Sequence, residues 1–149
     1  MKTRGLICGL AATIAFSTAP AADAPLPVVT PDAFLASLKA DAQALFVLDV
    51  RTPDEYAAGY VPGAVNIPHD QLASRLAEVP KDREVVVYCR SGRRSEIAGQ
   101  VLAEHGYTKL EHLQGDMIGW QEAQRPVEVP RDPAGCAAAL KAGELKPAS

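Results

Sequence analysis

"VVVYCRSGRRS", residues 85–95, joins the most β-prone run of the chain to its most regular helical pattern. Glu84 to Tyr88 is rich in β-branched and aromatic side chains and reads as a strand. From about Arg94 to His105 the spacing predicts a helix, with Ile97, Val101 and Leu102 facing inward and Gly106 as its stop. A strand that feeds a helix through a short loop is half of a βαβ unit, and the same alternation recurs on both sides of it.

Upstream, "PLPVV" (25–29) offers a short strand, and Thr30-Pro31 then opens a helix with Thr30 as N-cap and Phe34, Leu35 and Leu38 as its apolar face. "ALFVLDV" (44–50) is a continuous apolar run, as in strands covered on both faces. "TPDE" (52–55) is a capping box for a short helix that stops at Gly59. "GAVNIP" (63–68) reads as a third short strand, with a helical turn around Asp70 to Ala77. "KLEHL" (109–113) is the last strand and "GDMIGWQEAQ" (115–124) the closing helix, Trp120 and Met117 being core candidates. The expectation is an α/β fold: a mostly parallel sheet of about five strands with helices on both faces.

The bulk properties suit one domain. The 149 residues carry 22% charged and 48% hydrophobic side chains, and no extended basic stretch marks a nucleic-acid face. Lys2 and Arg4 precede an apolar run, Gly5 to Phe16, which leads to Ala19-Pro20-Ala21. This pattern is that of a secretory signal peptide cut after about Ala21. Its apolar run is shorter than the ~20 residues a membrane span needs. The expectation is therefore residues 1–21 as leader, export to the periplasm or beyond, a domain over 22–128 and a C-terminal extension over 129–149. The mature chain would have no membrane partner. Loss of Lys2 and Arg4 leaves 13 of the 15 basic residues against 18 acidic, a net charge of −5.

Against that charge, the cysteine loop collects cations. Cys89 stands where ligands bind in parallel α/β sheets, beyond a strand's carboxyl end, and Arg90, Arg93 and Arg94 follow it. Gly92 permits a positive φ, so backbone amides of the Arg90–Ser95 loop can turn inward as an anion cradle. Amides, helix N-terminus and arginines together favour the thiolate and attract an anionic substrate. The bland alternative, a core cysteine ending a buried strand, does not need three flanking cations and a glycine turn.

The loop Cys89-Arg90-Ser91-Gly92-Arg93-Arg94-Ser95 resembles the active-site loop of the rhodanese family of sulfurtransferases. "VLDVRTPDEYAAGYVPGAVNIP" (47–68) is similar to that family's upstream signature, with Asp49, Arg51 and Glu55, and "LQGDMIGW" (113–120) to its motif after the last strand. Tyr60 stands where the family often has His, and Asp116 where it often has a second Gly. The resemblance implies a rhodanese-like fold and a sulfur relay. In it the Cys89 thiolate takes the outer sulfur of thiosulfate, sulfite leaves, and a thiophile such as cyanide or a protein thiol accepts the sulfur from the persulfide. Because sulfite leaves unprotonated, no general acid is needed, which suits a sequence with no His beside Cys89.

Two other readings remain open. A cysteine phosphatase or arsenate reductase would need Cys-x5-Arg, whereas here position 95 is Ser and the spacing is Cys-x4-Arg through Arg94. A non-catalytic binding module or persulfide carrier would keep the same loop. Asp49 and Arg51 read as an ion pair buttressing the loop, and Glu55 as a helix cap. His69, His105 and His112 lack metal spacing, so neither a metal nor an organic cofactor is expected. Cys136, in the first turn of a helix after Asp132-Pro133, could resolve a Cys89 persulfide, pair with Cys89 as a disulfide or pack the tail helix, and packing is the favoured use.

Overall fold

The computed structural model describes residues 24–130. The leader Met1–Ala21, the tail helix and Cys136 lie outside the described residues.

Five strands form one sheet: β1 (Val28–Val29), β2 (Leu45–Asp49), β3 (Ala64–Asn66), β4 (Glu84–Tyr88) and β5 (Leu110–Leu113). Their spatial order is β1-β5-β4-β2-β3 and every pairing is parallel. β4 is the central strand. It pairs along its whole length with β2, Leu45 opposite Glu84 through Asp49 opposite Tyr88, and on its other side with β5.

Alternation along β4 sends its side chains into two separate cores. Val85, Val87 and Cys89 face a layer made by α3 (Arg93–Glu104) and two short 3-10 turns, Leu72–Ser74 and Leu76–Glu78. Val86 and Tyr88 face a layer made by α1 (Pro31–Ala40) and α4 (Asp116–Glu122), where Phe34 meets Trp120 edge-on at 5.9 Å. The sheet is thus apolar on both faces, which is why its central strands read as unbroken hydrophobic runs. Trp120 is fully buried and satisfies its indole N–H on the Pro126 carbonyl at 2.8 Å.

The helix starts follow the local chemistry. The Thr30 hydroxyl accepts the Ala33 N–H, and Thr52 and Glu55 close a reciprocal capping box on α2 (Pro53–Ala57). Gly106, at φ +83°, ends α3. Residues beyond α4 return to the sheet edge: Tyr60 and Glu128 exchange two backbone hydrogen bonds of 2.9 Å, and the Tyr60 ring stacks on Tyr56.

One face assignment is corrected. Ile97 is 40% exposed, and the buried stripe of α3 is Ser95, Ala98, Gly99 and Leu102. Ala98 and Leu102 pack into the core against the sheet, and Gly99 leaves room for the Leu26 side chain, which a Cβ there would meet at 2.7 Å; Ile97 falls one residue, about 100° of rotation, away from Ala98. Leu102→Ala is therefore expected to cost about 2–5 kcal/mol of unfolding free energy. Ile97→Ser should change it by no more than about 0.5 kcal/mol. Paired urea titrations check both.

Candidate active site

Cys89 follows directly on β4, at the carboxyl end of the central strand, and Gly92 caps α3 three residues later. Cys89 is 1% exposed and, among the described residues, forms no disulfide. The Gly92 N–H donates to Cys89 Sγ at 3.1 Å. Gly92 has φ +106°, a backbone conformation that calls for glycine, and a Cβ there would only touch Asp116 Oδ2 at 3.4 Å.

The rest of the loop is held from α4. The N–H groups of Met117 and Ile118 donate to the carbonyls of Cys89 and Arg90 at 3.0 and 3.2 Å. Asp116, at φ +51°, accepts the Cys89 N–H on Oδ1 at 2.7 Å and the Ser95 hydroxyl on the same oxygen at 2.9 Å. Its Oδ2 lies 2.9 Å from His112 Nε2. Burial works to raise the Asp116 carboxyl, but His112, the Cys89 amide and Ser95 outweigh it and hold the group below the usual carboxylate range. It is an ionised, buried acceptor under the cysteine loop.

The three arginines take different positions. Arg90 and Arg93 are exposed and, among the described residues, form no salt bridge. Arg94 forks onto Glu55, Nη1 to Oε2 at 2.7 Å and Nη2 to Oε1 at 2.9 Å. That pairing pushes the Glu55 carboxyl down to about 2 and, with a smaller contribution from Cys89, holds Arg94 above its ordinary value. Glu55 therefore caps α2 and offsets one of the loop's cations at once. Ser91 is exposed, whereas Ser95 is fully buried with its hydroxyl committed to Asp116.

Asp49 and Arg51 form a buried ion pair, Nη2 to Oδ2 at 2.6 Å and Nε 3.0 Å from both carboxylate oxygens. Arg51 also donates to the Gly59 carbonyl at 2.8 Å. Burial opposes its charge, yet the Asp49 bonds outweigh that and raise it. The Tyr88 hydroxyl donates to Asp49 Oδ2 at 2.6 Å and accepts the Val61 N–H at 3.1 Å. Asn66 donates to the carbonyls of Asp49 and Arg51. This satisfied network anchors Tyr88, the residue before the nucleophile candidate.

Sequence reasoning missed two partnerships. It read Glu55 as a cap only, and it set Asp116 and His112 apart from the cysteine loop. The available signal was Asp116 standing where the resembled family often has a second Gly; its φ of +51° shows the left-handed position that such a glycine would fill. Tertiary structure also supplies the histidine that the local sequence lacks: the His112 ring lies 3.8 Å from where a Gly92 Cβ would be. Among the described residues, no three His, Cys, Asp or Glu side chains converge as a metal centre requires.

Comparison with known proteins agrees with this geometry. The family model for the rhodanese-like domain matches residues 30–123, and the chain belongs to that family. A sulfurtransferase of Allochromatium vinosum is 41% identical over 91 residues, 61% of this chain and 85% of that protein. The thiosulfate sulfurtransferase PspE of Escherichia coli is 41% identical over 70 residues, 46% of this chain and 67% of that protein. The crystal structure of a rhodanese-related protein from Thermoplasma volcanium superposes with a TM-score of 0.59 at 28% identity, covering 70% of this chain and 99% of that one.

Two outcomes follow from the ion pairs. Asp49→Ala strands the Arg51 charge in the core and should cost about 3–5 kcal/mol, read by chemical denaturation. Glu55 is depressed in the folded state, so its stabilising contribution is full above the ordinary carboxylate range and is lost as pH falls towards about 2. Acid titration of Glu55→Gln should show a shallower loss of stability over that window than the unmodified protein.

Proposed function

We propose that the chain is a rhodanese-type sulfurtransferase that takes sulfane sulfur from thiosulfate, or a donor of the same chemistry, and passes it on through a Cys89 persulfide. The observation that carries this reading is the Cys89 thiol at the carboxyl end of β4 with the Gly92 N–H directed at its sulfur. In the first half-reaction the Cys89 thiolate bonds to the outer sulfur of thiosulfate, the S–S bond of the donor breaks, and sulfite leaves with the bonding pair. Cys89 is left as an anionic persulfide. In the second, cyanide or a thiolate attacks the outer persulfide sulfur and the Cys89 thiolate is regenerated. Charge is conserved in each half, so no proton has to be delivered.

Each loop residue supports a step. Amide donation at the sulfur favours both the thiolate and the persulfide anion that succeeds it, more strongly because the buried site excludes water. Arg90 and Arg93, exposed and in no ion pair among the described residues, supply positive charge that draws a small dianion towards an otherwise acidic chain. Arg94 contributes less net charge because Glu55 neutralises it. The Cys-x4-Arg spacing supports sulfur transfer over phosphoryl chemistry, as a loop one residue shorter leaves less room for a tetrahedral oxyanion. Export, with Met1–Ala21 as leader, belongs to the same proposal and is supported by the charged, apolar and small-residue pattern of that segment.

Intact mass spectrometry after thiosulfate treatment tests the reading. The protein should gain one sulfur that cyanide then removes as thiocyanate, and Cys89→Ser should gain none. Gain with transfer only to a protein thiol and not to cyanide would leave a persulfide carrier, and aryl phosphate hydrolysis without sulfur gain would overturn the proposal in favour of a phosphatase.

A further inference from the structure

A groove of about 360 Å3 runs between the Ala24–Val28 segment and α3. Ser95, Glu96, Gln100 and His112 are among its lining residues. His112 is therefore reached by solvent, with its side chain 21% exposed, while the Asp116 side chain beside it is only 5% exposed. Asp116 is bonded from three elements at once: the Cys89 amide at the end of β4, the Ser95 hydroxyl of α3 and the His112 ring of β5. Since Asp116 is ionised, Nε2 of His112 is the donor in that contact, and Nδ1 takes the proton that titrates.

This arrangement does two things to the nucleophile. By accepting the Cys89 N–H, Asp116 fixes the peptide that carries the thiol and leaves the Gly92 N–H as the donor to Sγ. It also sets a buried carboxylate against the loop that has to hold a thiolate, and like charges at close range oppose one another. His112 decides how much of that charge is felt. The charged groups acting on His112 are Asp116 from α4 and Glu96 from the first turn of α3; Cys89 follows the neighbouring strand, in which Val87 pairs with His112, and β1 pairs Val28 with it on the other side.

We propose that Asp116 and His112 are positioning residues for Cys89: Asp116 fixes the nucleophile's backbone and Ser95, and protonated His112 cancels the carboxylate's charge, so that thiolate chemistry at Cys89 is favoured while His112 is charged. The Asp116 hydrogen bond raises His112 above its ordinary value against the opposing effect of burial, and Glu96 adds to the rise. The charged form therefore persists upward from the usual histidine range, and the benefit is lost as pH rises through the raised value. This assignment deepens the sulfur-transfer reading, but its test does not depend on that reading, because alkylation of a thiolate needs no sulfur donor.

The experiment measures iodoacetamide modification of Cys89 in the full chain by peptide mass spectrometry, from about pH 5 to about pH 9, across the range in which histidine titrates. In His112→Gln the side-chain amide still donates to Asp116 but never carries charge. It should react about 3- to 10-fold more slowly than the unmodified protein at the acidic end, with the two profiles converging at the alkaline end. Asp116→Asn keeps the acceptor for the Cys89 amide and Ser95 while removing the charge. Without the carboxylate that raises His112, the His112-dependent step in its profile should move to lower pH, whereas the Asp116→Asn/His112→Gln double variant should lack that step, with thermal melts confirming that each variant folds. Separately, the His112 titration followed by NMR should lie higher with the Cys89 thiolate present than in Cys89→Ser, because the coupling is reciprocal. Superimposable profiles for the unmodified protein and His112→Gln, a loss of equal size at every pH, or a His112 titration unchanged by Cys89→Ser would each overturn the proposal. If thiosulfate adds no sulfur yet the alkylation profile keeps its His112 dependence, the sulfur-transfer reading fails and this assignment stands.

Discussion

The parallel pairing of β4 with β2 on one side and β5 on the other is the constraint from which the site follows. A strand hydrogen-bonded on both edges and covered on both faces has no freedom to slide, because a slip of one residue would exchange the contents of its two cores. Cys89 is the next residue after that strand, so its place relative to the sheet is set to within a side chain. The carbonyl of Tyr88 and the side chain of Tyr88 are both engaged, the first by the Val50 amide and the second by Asp49. The loop thus leaves the sheet from a rigid end, as a reactive group requires if its geometry is not to be lost to thermal motion.

Charge around the thiol is organised by pairs rather than accumulated. Arg94 is offset by Glu55 across 39 positions, Asp49 by Arg51 at the end of one strand, and Asp116 lies against His112, which offsets it when protonated. Arg90 and Arg93 are the loop's cations outside such pairs among the described residues, and both are exposed. Buried charges are tolerated because their partners and hydrogen bonds return much of what desolvation costs. Exposed ones remain available to an incoming anion.

Much of the architecture was legible in the chain. The β-branched runs at 44–50 and 84–88, the Thr30 and Thr52 caps and the Gly106 stop are local signals, and local signals survive folding. Ile97 shows where such reading stops. Helical spacing says that a face exists, but which of two adjacent stripes is buried depends on what packs against it, here the core residues around Ala98 and Leu102 and the Leu26 side chain over Gly99. At the site, Cys89, Gly92 and the arginines announced themselves by their spacing, while Glu55, His112 and Asp116 did not.

By itself the sequence determined an α/β chain with a parallel sheet, a cysteine at a strand's carboxyl end, and a basic, glycine-containing loop around it, because all of these depend on residues a few positions apart. Only the tertiary structure decided which charges in that loop are neutralised and which face solvent. Glu55 reaches Arg94 across 39 positions, and Asp116 reaches the Cys89 amide across 27. Contacts of that range carry no periodic signature, since they arise from the stacking of α2, α3 and α4 around the end of one strand.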